Sequence, residues 1–168
     1  MTTLFIDEDE FVDSSPLDAV EEMVSQQEWN FERFGDEELT ASIANAWGEV
    51  HVRYLWREDA SLLQVAAVYD LRVPAAKRPK IYETLSLINE RLWLGHFELW
   101  SDEGALMFRH AVLLGDSEAQ IAPLCEAVTF AALKECERFY PVFQFVLWSD
   151  KSPEEAVESA MLETVGEA

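Results

Sequence analysis

Three observations predict an α+β domain, with helices packed on an antiparallel sheet. Hydropathy switches several times between a period near 3.6 and a period of 2 along the 168 residues. The period-2 stretches come as a run of four followed by a pair, each joined by turns too short for a parallel crossover. The helical stretches lie before, between and after those runs instead of alternating with single strands. The expected order is α-β-β-β-β-α-β-β-α, a strand meander plus a hairpin.

Ser15-Pro16 opens the first helix, with serine as N-cap, proline at the first helical position and Asp18 in the first turn. Leu17, Val20 and Val24 then share one face. Trp29–Phe34 reads as a strand, Gly35-Asp36-Glu37 as a turn and Glu38–Asn45 as a strand in which Leu39, Ala41 and Ile43 alternate with polar residues. After a turn near Trp47-Gly48, Val50, Val52, Tyr54 and Trp56 mark the third strand. Leu62–Asp70, apolar on both faces, reads as a central fourth strand.

From Pro74 to Leu94 the spacing is helical, with Ile81, Leu85, Ile88 and Leu92 in one stripe and Gly95 as a left-handed stop. A hairpin turning at Glu103-Gly104 follows, and Gly115-Asp116-Ser117 closes it. From Glu118 a long helix aligns Ile121, Cys125, Val128, Ala132, Cys136 and Phe139, and Pro141 should kink or restart it. The apolar run Val142–Trp148 is expected to be buried or in an interface. Ser152-Pro153-Glu154-Glu155 is a capping-box pattern opening a last helix to about Glu163. Residues 1–14 read as a flexible acidic tail, 15–163 as one domain and 164–168 as a short tail.

The net charge of −21, from 33 acidic and 12 basic residues, repels phosphate backbones and anionic headgroups. Neither nucleic acid nor membrane is therefore expected as a partner. No signal-peptide pattern and no apolar run of about 20 residues is present, so the expected location is the cytoplasm. Cys125 and Cys136 share a helix face but lie about 16 Å apart along the axis, too far to bridge. They read as small buried residues of a reducing compartment. His51, His96 and His110 lack metal-ligand spacing, and no phosphate-cradling loop, dinucleotide fingerprint or nucleophile elbow occurs. No catalytic residue, metal or cofactor is expected.

The hairpin carries the candidate contact surface. A two-residue loop at Glu103-Gly104 would place Glu98 opposite Arg109 and Trp100 opposite Met107. His96, Glu98, Trp100, Met107 and Arg109 would then share the outer face, with Trp93 just before it, and Trp, Met and Arg are enriched in protein interfaces. A second feature is the cluster Arg72, Lys77, Arg78 and Lys80, four of the 12 basic residues within nine positions. It could be a solvated surface, bind an anion or acidic ligand, or hold the acidic run Asp7-Glu8-Asp9-Glu10.

Leu92–Trp100, Met107–His110 and the run Glu135-Cys136-Glu137-Arg138-Phe139-Tyr140-Pro141-Val142-Phe143-Gln144-Phe145-Val146 resemble the YbjN-domain family of bacterial proteins, over about Ser15 to Leu162. That resemblance implies a sensory-transduction regulator of undefined molecular activity. The family in turn resembles class I type III secretion chaperones in fold, with Leu87-Ile88-Asn89 and the Leu106–Leu114 strand as the local match. Those are acidic homodimers that bind an extended client segment across apolar patches. Trp47, Trp56, Trp93, Trp100 and Trp148, and the extra carboxyl-terminal helix, depart from that pattern.

The expected function is thus non-enzymatic: a chaperone-like or regulatory adaptor, homodimeric, that binds a protein partner. The alternative is a small-molecule sensor holding its ligand between sheet and middle helix near Tyr82, Asn89 and Trp93.

Overall fold

The computed structural model describes residues 15–115 and 118–165. The expected acidic tail, two residues of the turn after the hairpin, and 166–168 lie outside them. The architecture is α+β, as the period switches predict. Helices α1 (Pro16–Gln26), α2 (Arg78–Asn89), α3 (Glu118–Trp148) and α4 (Pro153–Val165) accompany strands β1 (Asn30–Phe34), β2 (Glu38–Asn45), β3 (Gly48–Arg57), β4 (Leu62–Arg72), β5 (His96–Trp100) and β6 (Ala105–Leu113). The strands form one antiparallel sheet in the order β1-β2-β3-β4-β6-β5.

Alternation assigns the two faces. Leu39, Ala41, Val52, Tyr54, Leu63, Val65, Ala67, Leu106 and Phe108 are buried on one of them. The α3 stripe of Cys125, Val128, Ala132, Cys136, Phe139, Phe143 and Val146 joins them in a single core with the buried residues of α1, α2 and α4. The opposite face carries Ser42, His51, Arg53, Gln64, Glu98 and Arg109, as expected of an antiparallel sheet packed on one side. Phe97, Phe108, Phe139 and Phe143 form edge-to-face contacts with centroids 5.3–5.7 Å apart, which anchor the hairpin to α3.

Local chemistry fixes the element ends. Ser15 Oγ accepts from the Leu17 N–H at 3.3 Å, opening α1. The capping box at α4 is reciprocal: the Ser152 N–H donates to Glu155 Oε2 at 2.9 Å and the Glu155 N–H to Ser152 Oγ at 3.2 Å. Helix α4 continues to Val165, so 164–165 belong to it and not to a tail.

The departures at the middle helix have equally local causes. The middle helix is shorter than Pro74–Leu94. Pro79 lacks an N–H and fits only in a first turn, so Ala75–Lys77 forms a 3₁₀ turn and α2 starts at Arg78. At the other end the Arg91 N–H turns back to the Ile88 carbonyl at 2.9 Å, a tightened final turn. Gly95, at φ +65°, does not cap α2; it turns the chain into β5.

The hairpin register is two residues away from the expected one: Glu98 lies opposite Met107 and Trp100 opposite Ala105. The connection is the four-residue loop Ser101–Gly104, closed by the Gly104 N–H on the Trp100 carbonyl at 2.7 Å. A shift of two keeps every side chain on its predicted face.

Pro141 neither stops α3 nor restarts it, for the helix is continuous to Trp148. A proline removes the hydrogen bond to the carbonyl four residues earlier, here that of Glu137. The Trp47 indole N–H from the β2–β3 turn donates to that carbonyl at 3.1 Å, and its ring stacks on Tyr140 with centroids 5.8 Å apart. One turn of the sheet therefore supplies the donor that the helix lacks. In the expected apolar run, Val142, Phe143, Val146 and Leu147 are buried, whereas Trp148 is exposed.

Candidate functional site

The hairpin's outer face is organised by one carboxylate. Glu98 Oε1 accepts from the Trp100 indole N–H at 2.9 Å, and Oε2 accepts from Arg109 Nη2 at 2.8 Å. His96 Nε2 lies 3.3 Å from the same Oε2. Four of the six hairpin residues singled out from sequence thus meet at one point. The Glu98–Arg109 contact runs diagonally, since His96 is the residue paired with Arg109. Diagonal neighbours are within reach of long side chains, so the ion pair forms although the expected register does not.

Met107 needs a correction. It shares the face but is only 3% exposed, packed with Ala66, Ala105 and Val68 in a small apolar floor. The surface it was expected to offer is presented instead by Trp100, 39% exposed above that floor. Short strand neighbours at Ala66 and Ala105 leave a shallow bed into which the thioether sinks.

Trp93 stands apart from the Glu98 cluster, fully exposed in the loop between α2 and β5. That loop is pressed onto the hairpin at Gly95, where a Cβ would lie 2.3 Å from Phe108 Cζ and 2.9 Å from the Arg109 carbonyl oxygen. Tyr82 is also exposed. Asn89 uses its amide on the sheet: its Nδ2 donates to the Phe97 carbonyl at 3.1 Å and its Oδ1 accepts from the Phe97 N–H at 2.8 Å. Tyr82, Asn89 and Trp93 therefore do not enclose a cavity. Asn89 acts as a stand-in for a seventh strand along the β5 edge, a role that residue spacing does not reveal.

Four titratable groups of the core are strongly shifted. Burial pushes the Cys125 thiol up to about 11 and the Cys136 thiol up to about 12. Burial likewise raises the Tyr54 and Tyr69 phenols. Tyr69 donates to the Cys136 carbonyl at 2.6 Å, and Tyr54 pairs with Thr129 Oγ1 at 2.9 Å. At neutral pH these groups stay protonated, so neither cysteine offers the thiolate that a nucleophile requires. His110 is lowered by desolvation and then by the nearby His96. Among the described residues no three His, Cys, Asp or Glu side chains are grouped to hold a metal ion.

The basic cluster sits at one end of the sheet, beside the hairpin loop. Arg72 ends β4, Lys77 closes the 3₁₀ turn, and Arg78 and Lys80 lie in the first turn of α2. At the opposite end, a groove of about 1550 Å³ is lined by Ser15, Phe34, Trp56, Leu62 and Leu114, among others.

A family model described as "Putative bacterial sensory transduction regulator" (YbjN) matches residues 16–145. The crystal structure of the E. coli YbjN protein matches with a TM-score of 0.47 and 12% sequence identity, covering 72% of this chain and 90% of that one. No curated protein matches the chain at a significant level.

Proposed function

The chain belongs to the YbjN family of bacterial proteins, and from that premise we propose that it is a non-enzymatic regulatory module that binds a protein partner through the outer face of its hairpin. Trp100 carries the reading. Its indole is held by Glu98, Glu98 is held by Arg109, and both strands are fixed to the core by Phe97 and Phe108. An aromatic side chain oriented before contact loses little conformational entropy on binding, which is the property of an interface anchor. Among the described residues the four helices pack on the other face of the sheet, which leaves room here for a second polypeptide.

Homodimerisation and a cytoplasmic location form part of the same proposal. Among the described residues no helix is long and apolar enough to cross a membrane. The test is capture from a bacterial lysate with wild type, Trp100→Ala and Trp148→Ala, the last exposed on α3, the helix that packs on the other face of the sheet. The proposal expects a specific protein retained by wild type and Trp148→Ala and lost by Trp100→Ala. Equal retention by all three variants removes the hairpin face from consideration. Sedimentation equilibrium of the same variants gives the oligomeric state.

A further inference from the structure

Beyond the hairpin face, we infer that the corner formed by Arg72, Lys77, Arg78 and Lys80 docks an acidic segment of a partner polypeptide. Five of the remaining eight basic residues, Arg33, Arg53, Arg57, Arg109 and Arg138, are in ion pairs. Among the described residues, none of the four at the corner has a carboxylate within ion-pair distance. Arg91, Lys134 and Lys151 are likewise without an ion pair among the described residues, but they are scattered, whereas the corner gathers four such cations within nine positions.

The placement also works against the fold. Cations at a helix amino end oppose the macrodipole, and the first turn of α2 holds no acidic residue to offset them. Arg78 lies under the hairpin loop, with its Nη2 3.4 Å from where a Gly104 Cβ would stand. Its Nε is shielded from solvent and has no acceptor. A buried donor left without a partner keeps its desolvation cost uncompensated. An incoming carboxylate gives the guanidinium its missing counter-charge and complements the helix end at the same time.

The overall charge of −21 does not preclude this. The Debye length at physiological ionic strength is about 8 Å, so a segment laid against the corner feels chiefly the four nearby cations. Those cations are spread from a strand end through a 3₁₀ turn into a helix, an arrangement that suits charges spaced along a chain better than one oxyanion. Tyr82, one turn beyond Arg78 and exposed, gives an adjacent apolar contact.

Covalent reach bounds what the chain's own acidic run could touch in the same molecule. Ser15 lines the groove with Leu62, at the start of β4, whereas Arg72 is at its end. Strand β4 spans roughly 33 Å at its ordinary rise. Fully extended, the chain from Ser15 reaches at most about 18 Å to Glu10 and about 29 Å to Asp7.

The test uses the free peptide of residues 5–12, Phe-Ile-Asp-Glu-Asp-Glu-Phe-Val, labelled with fluorescein, as an acidic probe. Its anisotropy is followed against the full chain, the Lys77→Glu/Lys80→Glu variant and the control Lys134→Glu. Circular dichroism melting confirms that each variant folds. The expected result is saturable binding that weakens with salt, is lost by about tenfold or more in the double variant, and is unchanged in the control. A counterpart peptide with Asn and Gln for Asp and Glu should not bind. Three outcomes overturn the inference: equal binding of that neutral peptide, equal affinity in the double variant, or complete displacement by millimolar inorganic phosphate. Salt-sensitive self-association of the full chain that disappears on deleting residues 1–14 would assign the corner to a second copy instead. Because the probe is defined and Trp100 is untouched, failure here is separable from failure of the hairpin reading.

Discussion

Gly95 carries two requirements at one position: a left-handed backbone and no side-chain atom. The Cβ of an alanine would meet the ring of Phe108, which is fully buried and cannot swing away. Gly95→Ala is expected to lose about 2–4 kcal/mol in urea denaturation, combining αL strain with overpacking. The cysteines give a pH-dependent readout. Their folded pKa values, about 11 and about 12, lie above the ordinary thiol value, so the folded state keeps protons that the unfolded chain releases. Their contribution is complete below about pH 8.5 and is lost as pH rises through the folded values. Urea midpoints should therefore fall between about pH 9 and pH 12, less steeply in the Cys125→Ala/Cys136→Ala double variant. At this scale the sequence was informative where a residue's neighbours are local, as at Ser15, Ser152 and the apolar cysteine stripe. It was silent on the depth of Met107, because that depends on Ala66 from a strand some 40 positions away, whose small side chain leaves the bed.

Among the elements, α3 shows most clearly how a tertiary contact overrides a local rule. Its Pro141 ought to break it, yet the Trp47 N–H replaces the missing donor at the Glu137 carbonyl. Trp47→Phe keeps an aromatic ring against Tyr140 but deletes the N–H. Because the site is half open to water, the expected loss is about 1 kcal/mol in thermal or chemical denaturation, at the low end for an unsatisfied carbonyl. Trp47→Ala should cost more, by the loss of stacking. Element types and order were legible from period and punctuation, and β2 was legible to its ends. The α2 boundaries moved with Pro79 at one end and the tightened turn at Arg91 at the other, and the hairpin register moved with the four-residue loop closed on Trp100.

For the whole molecule, charge and sheet exposure set the behaviour. A net charge of −21 on 168 residues destabilises the compact state through self-repulsion. Raising sodium chloride from about 0.02 M to 0.3 M should stabilise the fold by about 1 kcal/mol, or about 3 °C in Tm by calorimetry. A flat or falling Tm would mean that the pairs at Arg33 and Glu98 outweigh the general repulsion. The hairpin face was legible as a candidate because parity survives a register slip of two. The clustering of its polar groups on Glu98 was not, since a diagonal contact depends on which strands are adjacent.

The Trp47–Glu137 bond also makes the sheet and the longest helix interdependent as the chain folds. In an excised segment of residues 118–165 the Glu137 carbonyl would lose its protein donor and be left to water, which weakens the joint at Pro141. The β2–β3 turn acts as a splint across that joint. Continuity of α3 past Pro141 is therefore a property shared between helix and meander, supported from the β2–β3 turn.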